Sequence, residues 1–231
     1  MVKEQLLVDM KECYQFIDSK KGVRQTIYGH GISVASYCLD LIMHIYTGKV
    51  LDYDWDINKI SDCNIVDIIK KLLILNVDHE DYSINDIDME EIINDIGGKC
   101  EMLRSILTYC LYHDCGKPYC RTVDCNGNTH FFNHESVSHK KWMEYDGNKF
   151  IGDLILYDMV LHRSTVKELD DIFENISHIQ WIILVLSALS EVHSNANMFG
   201  GIESVSFKIK LKKVLKNIKH IIKKITCGKQ K

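Results

Sequence analysis

Apolar residues recur with a helical period along most of this 231-residue chain. Nine segments carry the 3.6-residue periodicity or a long apolar block, and joints rich in Gly, Asn and Asp separate them. They are residues 2–18, 28–46, 64–76, 86–96, 100–115, 134–145, 150–162, 178–195 and 205–225. A strand-like pattern is confined to one short stretch, so the sequence predicts an all-α fold.

That exception is residues 121–132, RTVDCNGNTHFF. An Asn-Gly pair lies there between two short runs rich in β-forming residues, which is the strongest local signal for a β-hairpin. The hairpin directly follows the predicted helix 100–115. We therefore expect it to form one wall of any site located at the end of that helix.

Composition narrows the class of protein. An apolar content of 46% over 231 residues predicts a compact globule. No run approaches about 18 apolar residues, and no basic segment followed by an apolar run opens the sequence, so we expect neither a membrane span nor a signal peptide. Nine scattered cysteines, an odd number, argue against a disulfide framework and favour the reducing cytoplasm.

Charge divides the chain unequally. Residues 205–231 contain ten lysines and no acid, so this segment carries +10 and the residues before it carry −14. Its apolar residues have helical spacing, which predicts a basic amphipathic helix. The lysines are either a solvated face of a helix that packs on the acidic body or a contact surface for a polyanion.

An inward-facing carboxylate marks the candidate site. Residues 103, 106, 107, 110 and 111 are apolar and form one helix face, and Asp114 is the next position on that face. A buried charge without a partner is strongly unfavourable, so Asp114 must be neutralised, paired or bound to a cation. The neighbouring His113 favours a metal ion.

Further ligand-type side chains share this orientation. His30 lies one turn before the apolar face of the helix 28–46, and His134 stands at the start of the helix 134–145. Asp158 and His162 are four residues apart on another apolar face. A single inward histidine is usually a core residue, but the convergence of these groups predicts a metal site.

Residues 111–140, LYHDCGKPYCRTVDCNGNTHFFNHESVSHK, resemble the HD-domain metal-dependent phosphohydrolases. The similarity is closest to the HD domain of one group of tRNA nucleotidyltransferases (CCA-adding enzymes), without their nucleotidyltransferase head. It extends over about residues 25–198 and is specific only in the central part. The resemblance implies an HD-domain helical bundle with a small β-hairpin after the HD helix. Residues 1–200 would form this single domain, with an acidic insertion near 76–98, and residues 201–231 would be a helix packed on it.

The resemblance also implies a metal centre. His30 is similar to the first histidine of the family, and His113 and Asp114 to its paired ligands. His134 and His162 are similar to the two histidines that bind a second ion in binuclear members. The implied cofactor is a divalent ion (Mn, Fe, Co, Ni, Zn or Mg), with one or two ions bound.

Catalytic and substrate-binding roles follow in the same way. Asp114 is expected to accept a proton from the attacking water. Lys117 resembles a phosphate-facing lysine and follows a helix end that Gly116 would cap in the left-handed conformation. Arg121 and Arg163 are further candidates for binding the substrate phosphate.

The late helix departs from the family pattern. Its polar stripe consists of Ser187, Ser190, Glu191 and Ser194, and alignment places Ser190 where the family has its last metal-binding aspartate. Serine cannot replace an anionic ligand of a hard divalent ion. Either Glu191 reaches the site with its longer side chain, or the site lacks its fourth protein ligand.

Three functions remain open from the sequence. The leading interpretation is a phosphohydrolase or phosphodiesterase that acts on a nucleotide or a nucleic-acid phosphate through metal-activated water. The second is a catalytically degenerate HD domain that binds a nucleotide or RNA. The third is a di-iron oxygenase of the HD fold, which Ser190 disfavours because an intact late aspartate would be expected there.

Overall fold

Helices form most of the chain in this computed structural model, which describes residues 2–18, 23–61, 65–73, 75, 89–97 and 100–227. The all-α prediction is confirmed. The elements are α1 (Val2–Glu12), β1 (Tyr14–Asp18), β2 (Val23–Thr26), α2 (Ile27–Thr47), α3 (Ile57–Ser61), α4 (Ile65–Leu72), α5 (Met89–Gly97), α6 (Glu101–Tyr112), α7 (Lys117–Cys120), β3 (Arg121–Val123), β4 (Thr129–Phe131), α8 (His134–Tyr145), α9 (Lys149–Leu156), α10 (Val160–Arg163), α11 (Val166–Ile172), α12 (His178–Ser194) and α13 (Val205–Cys227), with 3₁₀ helices at Phe173–Asn175 and Ala196–Phe199.

Helix α2 is central to the hydrophobic core and packs against both α6 and α12. Helix α12 is apolar almost all round, and each residue from Trp181 to Ser190 is buried. Ser177 and Gln180 form a capping box that starts this helix. The core therefore fixes the three helices whose ends carry His30, His113 and Glu191.

The basic helix α13 packs on this body through its apolar stripe. Phe207, Leu211 and Ile218 are buried in the common core, and α13 contacts α10, α11 and α12. Near its end, Lys224 Nζ lies 2.8 Å from Asp170 Oδ1. The helix thus places its lysines close to the part of the body that contains α10.

The prediction of one helix over residues 2–18 is wrong. Helix α1 ends at Glu12, and the strand β1 that follows pairs antiparallel with β2. The sequence YQFID of β1 combines aromatic and β-branched residues, which fit a strand as well as a helix. Thr26 then caps α2 by accepting a hydrogen bond from the backbone N–H of Gly29.

The predicted helix 150–162 is interrupted. Helix α9 ends at Leu156, and α10 begins at Val160 after a tight turn. Within this turn the buried Asp158 accepts a hydrogen bond from the hydroxyl of Tyr109, with an O–O distance of 2.6 Å. A long-range hydrogen bond of this kind is not visible in local periodicity.

The predicted hairpin is present as strands β3 and β4, which are antiparallel with Arg121 opposite Phe131. Its loop is longer than a two-residue turn. Asp124 accepts hydrogen bonds from the backbone N–H groups of Asn126 and Asn128, and Gly127 has a φ of +81°. The Asn-Gly signal located the hairpin, although the turn is built around Asp124.

Part of the predicted acidic insertion near 76–98 lies outside the described residues, namely 76–88 and 98. Residues 89–97 form helix α5, whose Met89, Ile92 and Ile93 are buried. Among the described residues, none of the helices combines the length and apolar character that a membrane span requires.

Candidate metal centre

Five elements bring the candidate ligands to one buried place. His30 comes from the first turn of α2, and His113 and Asp114 from the turn after α6. His134 is the first residue of α8, His162 lies in α10 and Glu191 lies in α12. His30, His113 and Asp114 are each 1% exposed. The six residues that the sequence proposed as metal ligands therefore lie on structural elements that meet.

Two histidines and one carboxylate form a group of closely spaced ligand atoms. His30, His113 and Glu191 each offer one ligand atom, and these atoms lie within 4.8 Å of one another. Imidazole nitrogen and carboxylate oxygen together suit Zn and the other first-row transition metals. These three residues could hold one metal ion.

Asp114 connects this group to a further histidine. Its Oδ2 lies 3.3 Å from His113 Nε2 and 3.6 Å from His30 Nε2. Its Oδ1 lies 3.3 Å from His134 Nε2. One carboxylate thus has histidines at both of its oxygens, an arrangement that suits a carboxylate shared between two ions.

His162 of α10 lies beside Glu191 of α12. Its Nε2 lies 2.9 Å from Glu191 Oε2. The side chains of His162 and Glu191 are 14% and 15% exposed. The site is therefore reached from solvent at this pair, whereas Asp114 and His30 lie at its buried end.

The site contains an unusual concentration of buried polar atoms without partners. In the described part of the chain, all such side-chain atoms except Asn195 Oδ1 belong to His30, His113, Asp114, His134, Asp158 and His162. Leaving one buried polar atom unpaired costs roughly 1–3 kcal/mol, and such atoms are few in native proteins. Bound cations would satisfy those of His113, Asp114 and His134, which lie side by side.

Backbone carbonyls orient two of the rings. His113 Nδ1 lies 2.7 Å from the carbonyl oxygen of Cys110, and His134 Nδ1 lies 3.0 Å from that of Phe131. A carbonyl can only accept, so Nδ1 must carry the proton and donate it, which leaves Nε2 to face the site. This second hydrogen bond is typical of metal-binding histidines.

Charges inside the site shift pKa values in opposite directions. Burial and the neighbouring His113 lower the pKa of His30 to about 3. For His113, burial opposes the charge, but the carboxylates of Asp114 and Asp158 raise its pKa to about 10. Burial likewise opposes ionisation of Glu191, yet His162 holds its pKa below the usual range. The carboxylates thus favour positive charge at His113, which a proton or a metal ion can supply, while burial disfavours it at His30.

Lys117 lies against Asp114. Its ammonium donates to Asp114 Oδ2 and, over 3.0 Å, to the side-chain oxygen of Gln15 on β1. Burial opposes ionisation of Asp114, but Lys117 and His113 lower the pKa of this carboxyl well below its usual range. The contact of β1 with Lys117 escaped the sequence prediction because residues 14–18 were assigned to a helix.

Gly116 does not adopt the predicted left-handed conformation, since its φ is −86° and its ψ is −13°. A Cβ on Gly116 would lie 2.2 Å from the backbone nitrogen of Ser138, so glycine is required there for the close approach of α8. A Cβ on Gly31 would likewise lie 2.1 Å from the carbonyl oxygen of Leu111. These two contacts hold α2, α6 and α8 together beside the candidate ligands.

The geometry distinguishes Ser190 from Glu191. Ser190 is buried, and its hydroxyl donates to the carbonyl of Leu186 within the same helix over 2.8 Å. The hydroxyl of Ser194 also turns back, to the carbonyl of Glu191. Of the polar stripe on α12, Glu191 is the residue that joins His30 and His113.

The two candidate arginines are placed differently. Arg163 is half-exposed, and its Nη1 lies 3.3 Å from Glu135 Oε1 at the start of α8. Arg121 is exposed at the first position of β3, next to α7. Arg163 therefore lies beside the solvent-facing pair His162 and Glu191, whereas Arg121 lies on the hairpin.

Asp158, one of the converging groups in the sequence, accepts a hydrogen bond from Tyr109, a residue to which the sequence gave no role. Burial raises the pKa of Asp158 above its usual value, and burial and Asp158 raise that of Tyr109. The sequence contained one usable signal, because Asp158 shares a helical face with His162. Tyr109 gave no such signal, because its ring fits an apolar helix face.

Comparisons of the chain with protein-family models, with curated proteins and with solved structures found no match. The chemistry of the site must therefore be inferred from its own residues.

Proposed function

We propose that the chain is a metal-dependent phosphohydrolase that acts on a nucleotide or a nucleic-acid phosphate. The observation that supports this most directly is the pair of buried Nε2 atoms of His113 and His134, which have no hydrogen-bond partner and lie on either side of the Asp114 carboxylate, with His162 and Glu191 paired beside them. Atoms of this kind are stable when they bind a cation. The resemblance of residues 111–140 to HD-domain phosphohydrolases agrees with this function.

The donor set fits one or two divalent transition-metal ions. His30, His113 and Glu191 would hold one ion, with Asp114 beside them. His134 and the second oxygen of Asp114 would contribute to a second position. When bound, the metal supplies charge neutralisation at a phosphoryl oxygen and a water molecule acidic enough to act as a nucleophile near neutral pH.

Residues of the chain itself stabilise the charges at the site. Asp114 is ionised because Lys117 and His113 stabilise its carboxylate, so it can hold a cation, whereas its low pKa makes it a weak acceptor for the proton of the attacking water. Lys117, 13% exposed, would pair with a phosphoryl oxygen that approaches this carboxylate. Asp158 and Tyr109 hold the turn between α9 and α10 and thereby position His162.

Glu191 matters for the choice between enzyme and binding module. The binding-module alternative rests on Ser190, which stands in place of an acid. The position of Glu191 beside His30 and His113 supports the enzyme, because Glu191 can supply the carboxylate that Ser190 lacks. A di-iron oxygenase would use a similar ligand set, so the metal and the reaction must be measured together.

The deciding experiment combines metal analysis with an activity panel. Protein purified without chelators is analysed for metal, and phosphate release is measured from 2′,3′-cyclic, 3′- and 5′-phosphorylated nucleotides and oligonucleotides with Mn, Co, Ni or Mg. Near-stoichiometric metal with turnover supports the proposal. Iron with an oxygen-dependent reaction and no phosphate release would support the oxygenase instead.

Asp114→Ala tests the assignment within the same protein. We expect loss of activity and of metal binding with helical circular dichroism largely unchanged, because the surrounding helices are held by the apolar core. Asp170→Ala is the control, since this exposed carboxylate pairs with Lys224 and His220 on α13. Wild-type phosphate release by Asp114→Ala would overturn the proposal.

A further inference from the structure

A cleft of about 480 Å³ opens directly onto the solvent-facing side of the candidate metal centre. His162 and Glu191 form part of its wall, and α10, the end of α12 and α13 enclose it. Its volume lies in the range of small-molecule binding sites, roughly 300–1,000 Å³. A substrate that reaches the metal centre from this side must occupy the cleft.

Cations from two elements lie around the cleft. Arg163 at the end of α10 and Lys210 and Lys213 on α13 all line it. Lys213 Nζ lies 3.5 Å from the carbonyl oxygen of Arg163, so the two helices meet at this point. A single phosphate at the metal centre would already be neutralised there by the metal, and these cations lie beyond it.

The remaining wall suits the organic part of a ligand. Met159, Phe199 and Ile209 contribute apolar surface, and the Phe199 ring centroid lies 5.1 Å from Lys210 Nζ. Asn195 also lines the cleft, and its buried Oδ1 has no hydrogen-bond partner among the described residues. This oxygen is an acceptor for an N–H or O–H group of a ligand.

The lysines of α13 fall on two flanks of the helix. Lys210 and Lys213 line the cleft beside the metal centre, whereas Lys208, Lys212, Lys216 and Lys219 line a separate groove on the other side. Since both sets belong to one helix, a general attraction of anions by α13 would depend on either set. A true binding site in the cleft would depend on Lys210 and Lys213 alone.

We propose that this cleft binds a phosphate ester with a second phosphate group, and that Lys210 and Lys213 bind that second phosphate. The inference rests on the proposed function for the position of the first phosphate, at His162 and Glu191. Arg163 adds charge at the same rim, and Asn195 accepts a hydrogen bond from the nucleoside part. The basic C-terminal helix thereby determines which phosphate esters the site accepts.

The test compares ligands that differ by one phosphate. Binding of adenosine 5′-monophosphate is compared with that of adenosine 5′-diphosphate, and binding of the dinucleotide ApA with that of its 5′-phosphorylated form pApA. Both comparisons use calorimetry on the protein as purified, with KM used where phosphate is released. We expect a second phosphate to tighten binding about tenfold, which two partly exposed charge pairs can supply. A gain with the diphosphate alone identifies a free nucleotide, and a gain with pApA identifies a nucleic-acid end.

Matched double variants locate the effect. Lys210→Ala with Lys213→Ala should abolish the gain from the second phosphate and leave metal content unchanged, whereas Lys212→Ala with Lys216→Ala should keep the gain within about twofold. Absence of any gain in the parent protein, or equal loss in both double variants, would overturn the inference. Absence of metal and turnover, with the gain and its lysine dependence intact, would instead refute the proposed hydrolysis.

Discussion

Two kinds of buried histidine occur in this molecule. They differ in whether the second ring nitrogen has a hydrogen-bond partner. His193 on α12 has both nitrogens engaged, with Nδ1 2.7 Å from the carbonyl oxygen of Leu189 and Nε2 3.3 Å from the backbone nitrogen of Asp56. At the candidate metal centre, His113 and His134 use Nδ1 in the same way but leave Nε2 unpartnered. Burial alone therefore does not separate the two kinds of histidine, whereas the state of the second nitrogen does.

The surroundings of the two kinds of histidine differ accordingly. The ring of His193 packs against Trp55 and Phe207, with centroid distances of 4.5 and 5.3 Å. Burial lowers its pKa to about 4, so it remains neutral at physiological pH. His113 is surrounded by carboxylates and has a raised pKa. The surroundings of His193 disfavour positive charge, whereas the carboxylates around His113 favour it.

Replacement of one histidine from each environment should give the largest difference in metal binding. His30→Ala removes one member of the ligand group His30, His113 and Glu191. We therefore expect metal affinity to fall by at least about 100-fold, which exceeds the loss caused by removing a residue that only orients a ligand. His193→Ala should leave metal stoichiometry unchanged. Affinities are measured by titration against a competing chelator. Equal metal affinity in both variants would show that the unpartnered nitrogens do not mark a metal site.

The pH dependence of stability tests the structural histidine. His193 has a folded-state pKa of about 4 against its ordinary 6.5, so the unfolded chain takes up the proton first as the pH falls. The free energy of unfolding should therefore decrease between about pH 6.5 and 4, by up to about 3 kcal/mol. Urea denaturation at several pH values measures the decrease.

The control for this pH dependence is His193→Gln, which cannot take up a proton. This variant should lose stability at neutral pH but show a smaller decrease on acidification. If its decrease between pH 6.5 and 4 matches that of the parent protein, other groups cause the acid sensitivity and His193 does not mark a separate environment.

The two neighbouring residues Ser190 and Glu191 on α12 should differ in their effect on metal affinity. Ser190→Ala removes a hydroxyl that bonds within its own helix, so we expect a stability loss of about 1 kcal/mol and a metal affinity within about twofold of the parent. Glu191→Gln should weaken metal binding strongly while keeping the side-chain shape. Metal binding that depends on Ser190 as much as on Glu191 would contradict the geometry of the site.

Local periodicity was sufficient to predict the helical class and the inward faces of His30 and Asp114. It could not decide between Ser190 and Glu191, because neighbouring residues on a helix differ by about 100° and only packing fixes which one faces the site. The break after Leu156 depends on a hydrogen bond between Tyr109 and Asp158, which are distant in sequence. Likewise, the docking of α13 beside His162 follows from tertiary contacts that a one-dimensional pattern does not contain.

The ligand group of His30, His113 and Glu191 joins distant parts of the chain, since His30 and Glu191 are 161 positions apart. A nascent chain carries His30 long before Glu191 has been synthesised, so the ribosome must complete α12 before the group can form. Under the proposed function, His30, His113 and Glu191 would bind an ion together only after α12 has been synthesised. Because the core between α2 and α12 is apolar, we expect the chain to fold without an ion and to bind the metal later.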